Sequence, residues 1–377
     1  MALSCEQHTA YIYDRGGRRK IGMLDPLVRV KWARTRDDIS EATVWVASPG
    51  PECAKMLGMV EAGRHELVIF RGNKRVWEGP IMLPTYSGPN VSIKAHDVMF
   101  YTTRTAMHNE YDNRYPNNGL VLDRVKRIMT AELARKEALD PPIYVLPHVQ
   151  YIYASSDGVT DAKTAARTLP YQYTVFQHVD NYAARGGLDY TVVGRRIIFF
   201  DVHQRIGQTA QITGDDFIGD PIISQYGAEL ATRVIMTDGK GVWGAAGGTD
   251  PFYGEWEVLH QAYDEQSAAV DGTDPPTRAE LEDQAKRSLL QGKVPPLVVR
   301  VPDNTRLNPN GTLTMDDLVP GTWIPLSASL PGRTLVQMQK LDKMSVEETA
   351  GEGEVIKVTL SPAYVETFVE TDSDLND

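Results

Sequence analysis

At 377 residues the chain exceeds one ordinary compact core, so two or three domains are expected. Its 39 basic and 50 acidic residues leave a formal charge of −11, which argues against a surface built mainly to grip phosphates. No apolar run is long enough to cross a bilayer, and Met1-Ala2-Leu3-Ser4-Cys5 opens no secretory signal, so the protein is expected to stay in the cytoplasm where it is made.

In chain order, residues 27–32 and 42–46 alternate in the manner of half-buried strands, and 52–59 read as a short helix. Residues 65–71 and 75–81 form a hairpin signature around Gly72-Asn73-Lys74, and a further strand is predicted at 90–95. The pattern then turns helical. Leu120, Val121, Val125, Ile128, Met129 and Leu133 share one face, and a second helix is predicted at 174–184, feeding a hairpin over 188–202. Strands return at 222–243, a proline-bounded helix is predicted at 277–291, and strands follow at 297–301, 322–326, 334–341 and 353–360. Residues 370–377 are acidic and aperiodic, as in a solvated tail.

A search for chemistry finds no strong constellation. Asp238-Gly239-Lys240-Gly241 has the glycines of a phosphate loop without its Lys-Ser/Thr ending, and reads as a turn. Asn308-Pro309-Asn310-Gly311 resembles a calcium loop closed by Asp317, but Arg306 falls at the first ligand position, which favours a polar turn. His96-Asp97 and His178…Asp180 are the histidines beside carboxylates, and neither nominates a nucleophile. Cys5 and Cys53 lack metal-ligand spacing and read as free thiols. Trp32, Trp45 and Trp77 could stack on a sugar, although sheet packing is the stronger reading. No cofactor or metal is expected.

The run Glu66-Leu67-Val68-Ile69-Phe70-Arg71-Gly72-Asn73-Lys74-Arg75-Val76-Trp77-Glu78-Gly79-Pro80-Ile81 is similar to the pattern E-L-x-(I/V)-x-R-(D/N)-G-x-x-V-W-x-G-P-I of minor tail proteins of siphophages infecting actinobacteria. Weaker echoes follow in the family's order at 187–192, 226–234, 253–254, 318–321, 336–346 and 355–360. The resemblance implies a tail hub that is mainly β with α+β insertions, pairing two tail-tube-like β-barrels. The return of short alternating strands after the helical stretch sets the expected bounds: residues 1–105 as a first barrel, 106–205 as an inserted α+β domain, 206–360 as a second barrel with a helical excursion near 277–291, and 361–377 as an acidic tail. Separate barrels would be excluded by one continuous sheet.

The resemblance further implies a structural virion protein at the tail tip, not an enzyme, acting in tail assembly, host attachment and genome delivery. Many relatives carry a hydrolase or fibre downstream, and its absence here points to a purely structural role. The alternatives are a cell-wall hydrolase or a carbohydrate-binding tail module. Three copies of a two-barrel chain would form a pseudo-hexameric ring matching a six-fold tube, with an acidic lumen through which DNA passes without being specifically bound. Implied partners are further copies of itself in a homotrimer, the distal tail protein, the tape-measure protein and fibre proteins. Glu66, Arg71, Trp77, Glu78, Gly79, Pro80 and Ile81 are the candidate ring-interface residues.

Overall fold

The alternation that predicts strands near both ends of the sequence becomes one sheet. The computed structural model describes residues 4–109, 120–138, 148–153, 170–184, 188–201, 204–219, 222–224, 231–251, 253–261, 276–290, 298–330, 333–363 and 368–370. Its first strands are β1 (His8–Asp14), β2 (Lys20–Met23), β3 (Leu27–Thr35) and β4 (Glu41–Ala47). The short helix α1 (Pro51–Leu57), with proline at its start, leads to β5 (His65–Arg71), β6 (Lys74–Ser87) and β7 (Asn90–His96). Alternate residues Val30 and Trp32 of β3, Ala42, Val44 and Val46 of β4, and Val91, Ile93 and Ala95 of β7 point inward, as a period of two requires. β6 turns a corner: its first half pairs with β5, Glu66 opposite Pro80, and its second half with β7, Ile81 opposite Ala95, with a register shift in each ladder.

The middle of the chain is α+β, as predicted. Helices α2 (Phe100–Thr103), α3 (Val121–Glu137) and α4 (Val175–Ala184) accompany β8 (His148–Ile152), β9 (Asp189–Val193) and β10 (Arg196–Phe200). β10 lies between β8 and β9, parallel to the first and antiparallel to the second. The apolar face of α3 supplies Val125, Ile128 and Met129 to a separate core with Val179, Tyr190 and Phe199.

Short strands β11 (Phe217–Ile218) and β12 (Ile222–Ser224) precede a unit not anticipated as such. β13 (Arg233–Thr237) lies between β14 (Trp243–Gly247) and β15 (Glu257–Gln261), and α5 (Arg278–Leu290) covers one face, with Val234, Ala246 and Ala285 in a small core of their own. Sequence periodicity predicted strands over 222–243, which covers β13 and only the first residue of β14 and misses β15, and it assigned them to the second barrel, because a local pattern does not state which sheet a strand joins. A Cβ on Gly244 would lie 2.3 Å from the Glu282 nitrogen, so this glycine lets the helix rest directly on the strand.

β16 (Val298–Arg300) pairs with β12 in a separate two-stranded sheet, and the chain then returns to the main sheet through β17 (Thr305–Leu307), β18 (Trp323–Leu330), β19 (Arg333–Thr349), β20 (Gly353–Pro362) and β21 (Phe368–Glu370). The 17-residue β19 pairs with β18 along its first half and with β3 and β20 along its second, Trp32 opposite Val346. The result is a 13-stranded sheet of path β11-β17-β20-β19-β3-β4-β7-β6-β5-β1-β2, with β18 and β21 branching from β19. One core cluster runs from Ala10 to Leu360 beneath it. The expected separation of two barrels therefore does not appear in the ladders: both ends of the chain share one continuous sheet, and no closed barrel occurs among the described strands. The reason is the length of β19, which serves both halves. The acidic stretch 371–377 lies outside the described residues.

Candidate functional site

The motif hairpin is built inward. Gly72 at its tip has φ +54, a conformation that favours glycine, and the exposed residues of the turn are Gly72, Asn73, Lys74 and Arg75. Behind the tip, Glu66 and Glu78 are fully buried side by side. Arg195, from the turn between β9 and β10, enters between them, its Nη1 donating to Glu66 at 2.7 Å and to Glu78 at 2.5 Å. Arg75 donates to the other Glu78 oxygen at 2.7 Å, the Gly16 amide donates to Glu66 at 2.8 Å, and the Tyr101 hydroxyl donates to the same Glu66 oxygen. Every carboxylate oxygen of the pair is thus satisfied. Burial and the Glu66 charge push the Tyr101 hydroxyl well above its ordinary pKa, so it remains a donor. Two carboxylates can serve as general acid and base when a substrate reaches them, but these are sealed from water and locked by cations, an arrangement suited to structure.

Trp77 and Gly79 fix the opposite side of the hairpin. The Trp77 indole donates to the Ser40 hydroxyl at 3.2 Å, and Ser40 donates twice, through its amide and its hydroxyl, to Asp97 at 2.6 Å. Burial pushes Asp97 up to about 6 despite these hydrogen bonds and a third from the Met99 amide. A Cβ on Gly79 would lie 1.8 Å from the His96 carbonyl oxygen, so β6 can pass this backbone only as glycine. Pro80 and Ile81 are buried beside it, and the Ile81 carbonyl accepts from the Gly63 amide at 2.7 Å. Arg71 alone of the seven motif residues reaches outward, where it is held by Glu354 in two bonds of 2.8 Å each.

Two further buried polar clusters tie the halves of the chain together. The Glu348 carboxylate accepts from the backbone amides of Glu6, Gln7 and His8 at 2.7, 3.0 and 3.1 Å, and from the His8 Nδ1 at 2.6 Å. His8 Nε2 in turn accepts from the Trp32 indole at 3.1 Å, which fixes the tautomer. Burial works against the Glu348 charge, yet the amide and imidazole bonds hold its carboxyl below the usual range. In the second cluster Asp189 of β9 receives Arg36 at 3.0 Å and Lys340 of β19, while Arg36 also donates to Asp342 at 2.8 Å. Asp37 beside them accepts from the Tyr190 amide at 2.7 Å, and burial together with the Asp189 charge pushes its carboxyl up to about 8. This network joins β3, the inserted unit and β19.

The remaining sequence candidates are dispersed. His96 stacks on Phe100 at 4.9 Å and faces Glu41 at 3.6 Å, whereas His178 packs edge-on against Tyr182. The loop over 308–317 is a polar turn: Asp216 accepts from the Thr312 amide at 2.5 Å, Asp317 accepts from Thr314, and Arg306 sits in the β17 ladder. No cluster of acidic, histidine or cysteine side chains able to hold a metal occurs among the described residues. Trp32 and Trp77 are core residues, and Trp45 lies under the Arg29 guanidinium. The buried clusters of Glu348 and Asp189 escaped sequence reading, since each joins positions more than 150 residues apart.

No family model and no curated protein matches this sequence. Solved structures do. The prophage tail protein gp18 from Listeria monocytogenes aligns with a TM-score of 0.57 and 10% identity over 93% of this chain and 94% of that one. The tail protein from Neisseria meningitidis aligns with 0.55 and 11% identity over 94% and 96%, and the 43 kDa tail protein of prophage MuSo2 from Shewanella oneidensis with 0.55 and 9% identity over 94% and 96%. Along nearly its whole length, the chain has the fold of these three tail proteins.

Proposed function

We propose that this protein is a structural component of a bacteriophage tail, a hub at the distal end of the tail tube. The observation that carries this reading is the end-to-end fold match to three tail proteins of similar length. The buried site supports it, because the most elaborate polar clusters bind chain segments to each other and leave no carboxylate pair open to substrate. In this reading the two ends of the chain, roughly 1–105 and 206–360, are tube-like halves fused edge to edge through the β3–β19 ladder instead of separate barrels, with 106–205 inserted between them. Three copies place six halves in a ring that docks on the six-fold tube, with the distal tail protein, the tape-measure protein and fibre proteins as neighbours. The buried motif residues brace the hairpin, and its exposed tip at Gly72–Arg75 is the part left to contact a neighbour. An acidic lumen lets DNA pass without holding its phosphates. Purified protein incubated with host cell walls tests the structural role: no release of sugar or peptide is expected, and turnover abolished by a single conservative substitution would overturn it.

A further inference from the structure

Beside the exposed hairpin tip lies a cavity of about 500 Å³ whose wall includes Arg34, Arg71, Lys74 and Arg75 against the single carboxylate of Asp316. Four cations facing one anion is an unusual concentration in a chain of net charge −11. Three of the four are already neutralised by carboxylates: Arg71 by Glu354 at 2.8 Å, Arg75 by Glu78 at 2.7 Å, and Lys74 by Asp316 at 2.5 Å.

Arg34 differs. It is 6% exposed, its two terminal nitrogens donate to the carbonyls of Leu318 and Val76 at 3.3 and 3.0 Å, and its Nε has no hydrogen-bond partner. Among the described residues, no carboxylate comes within ion-pair distance of it. Burial lowers its pKa to about 10. The one carboxylate whose charge reaches Arg34, that of Asp316, lies beyond ion-pair distance and is engaged by Lys74, so an anion that meets Arg34 directly offsets part of the cost of its burial. The gate is weak: Lys74 and Asp316 are each 69% exposed, and such a surface pair contributes little.

We propose that this cavity is a binding site for an acidic peptide segment, whose carboxylate displaces Asp316 from Lys74 and gives Arg34 a direct counterion. The cations here already coordinate carboxylates, so the exchange is like for like. Val76, Met315 and Val319 offer the apolar wall that peptide side chains need. The volume takes a few side chains and is too small for a nucleic-acid duplex, which the net charge also repels.

Two exposed residues give a test with opposite signs. Binding of a fluorescein-labelled hexaglutamate peptide to the full chain is followed by anisotropy at low salt. Lys74→Gln is expected to weaken binding about fivefold, and Asp316→Asn, which removes the internal competitor, to strengthen it about fivefold. The same charge changes at the exposed pair outside the cavity, Arg64→Gln and Glu61→Gln, should leave binding unchanged; equal shifts there, or no opposed shift at Lys74 and Asp316, would reduce the effect to general surface charge and the proposal would fall. Arg34→Met should reduce binding more than tenfold; if it does not fold, the opposed pair decides alone. Absence of saturable binding, or tighter binding of a single-stranded oligonucleotide that is equally sensitive to Lys74→Gln, would also overturn the proposal.

Discussion

Arg195 and Glu66 stand 129 positions apart in sequence and 2.7 Å apart in the fold, with Glu78 completing the bridge. The contact crosses from the inserted unit to the motif hairpin, so removing the cation leaves the buried Glu66 carboxylate with no cation and Glu78 with Arg75 alone. Arg195→Met is expected to cost about 3–5 kcal/mol in chemical denaturation. Arg64→Ala, which breaks the exposed pair with Glu61, should cost under about 0.5 kcal/mol. Adding Glu66→Gln and Glu78→Gln to Arg195→Met should recover much of the loss, since the buried charges are then gone. Equal effects of Arg195→Met and Arg64→Ala would contradict the buried-bridge account.

Gly79 is expected to tolerate no side chain. The atom its Cβ would strike is backbone, the His96 carbonyl, which cannot swing aside as a flexible side chain could. Gly79→Ala should therefore lower stability by about 1–3 kcal/mol or prevent folding, whereas Gly248→Ala, with open space around it, should change it by less than about 0.5 kcal/mol. Thermal melts of the two variants side by side check this.

The Asp37 carboxyl predicts a pH dependence. Its folded pKa lies above its unfolded value, so the stability it contributes is fully present below about pH 4 and is lost as pH rises through about 8. Asn in its place mimics the protonated form and suits the positive φ of 57 found there. Denaturation at pH 5 and pH 8.5 should show wild type losing more stability than Asp37→Asn across that interval. A larger loss in the variant would reverse the sign and refute the assignment.

The unit built on β13 to β15 has its own small core, so it should open without the rest. Gly244→Val forces α5 off the strand, and hydrogen exchange over residues 278–290 should quicken while amides in 27–47 keep their protection. Loss of protection throughout would show that this unit is not independent.

What the sequence disclosed and what it hid follow from range. The hairpin of β5 and β6 was legible because alternating apolar residues flank Gly72-Asn73, and α3 because Val125, Ile128 and Met129 fall on one face. The motif residues were found, but their burial was not: Glu66 and Glu78 look like surface charges until Arg195 arrives from another unit. The pairing of Trp32 with Val346, and the capture of three N-terminal amides by Glu348, depend on partners more than 300 residues away, which no local period encodes. The same limit explains why the strand at 233–237 was recognised while the separate sheet it centres was not.

The claim of a trimeric hub is tested most directly by cryo-electron microscopy of intact tails carrying a label on this protein. Three copies in one ring at the distal end of the tube, around a channel lined by more Asp and Glu than Lys and Arg, is the predicted result. A different copy number, a position away from the tail tip, or a channel lined mainly by Lys and Arg would contradict it.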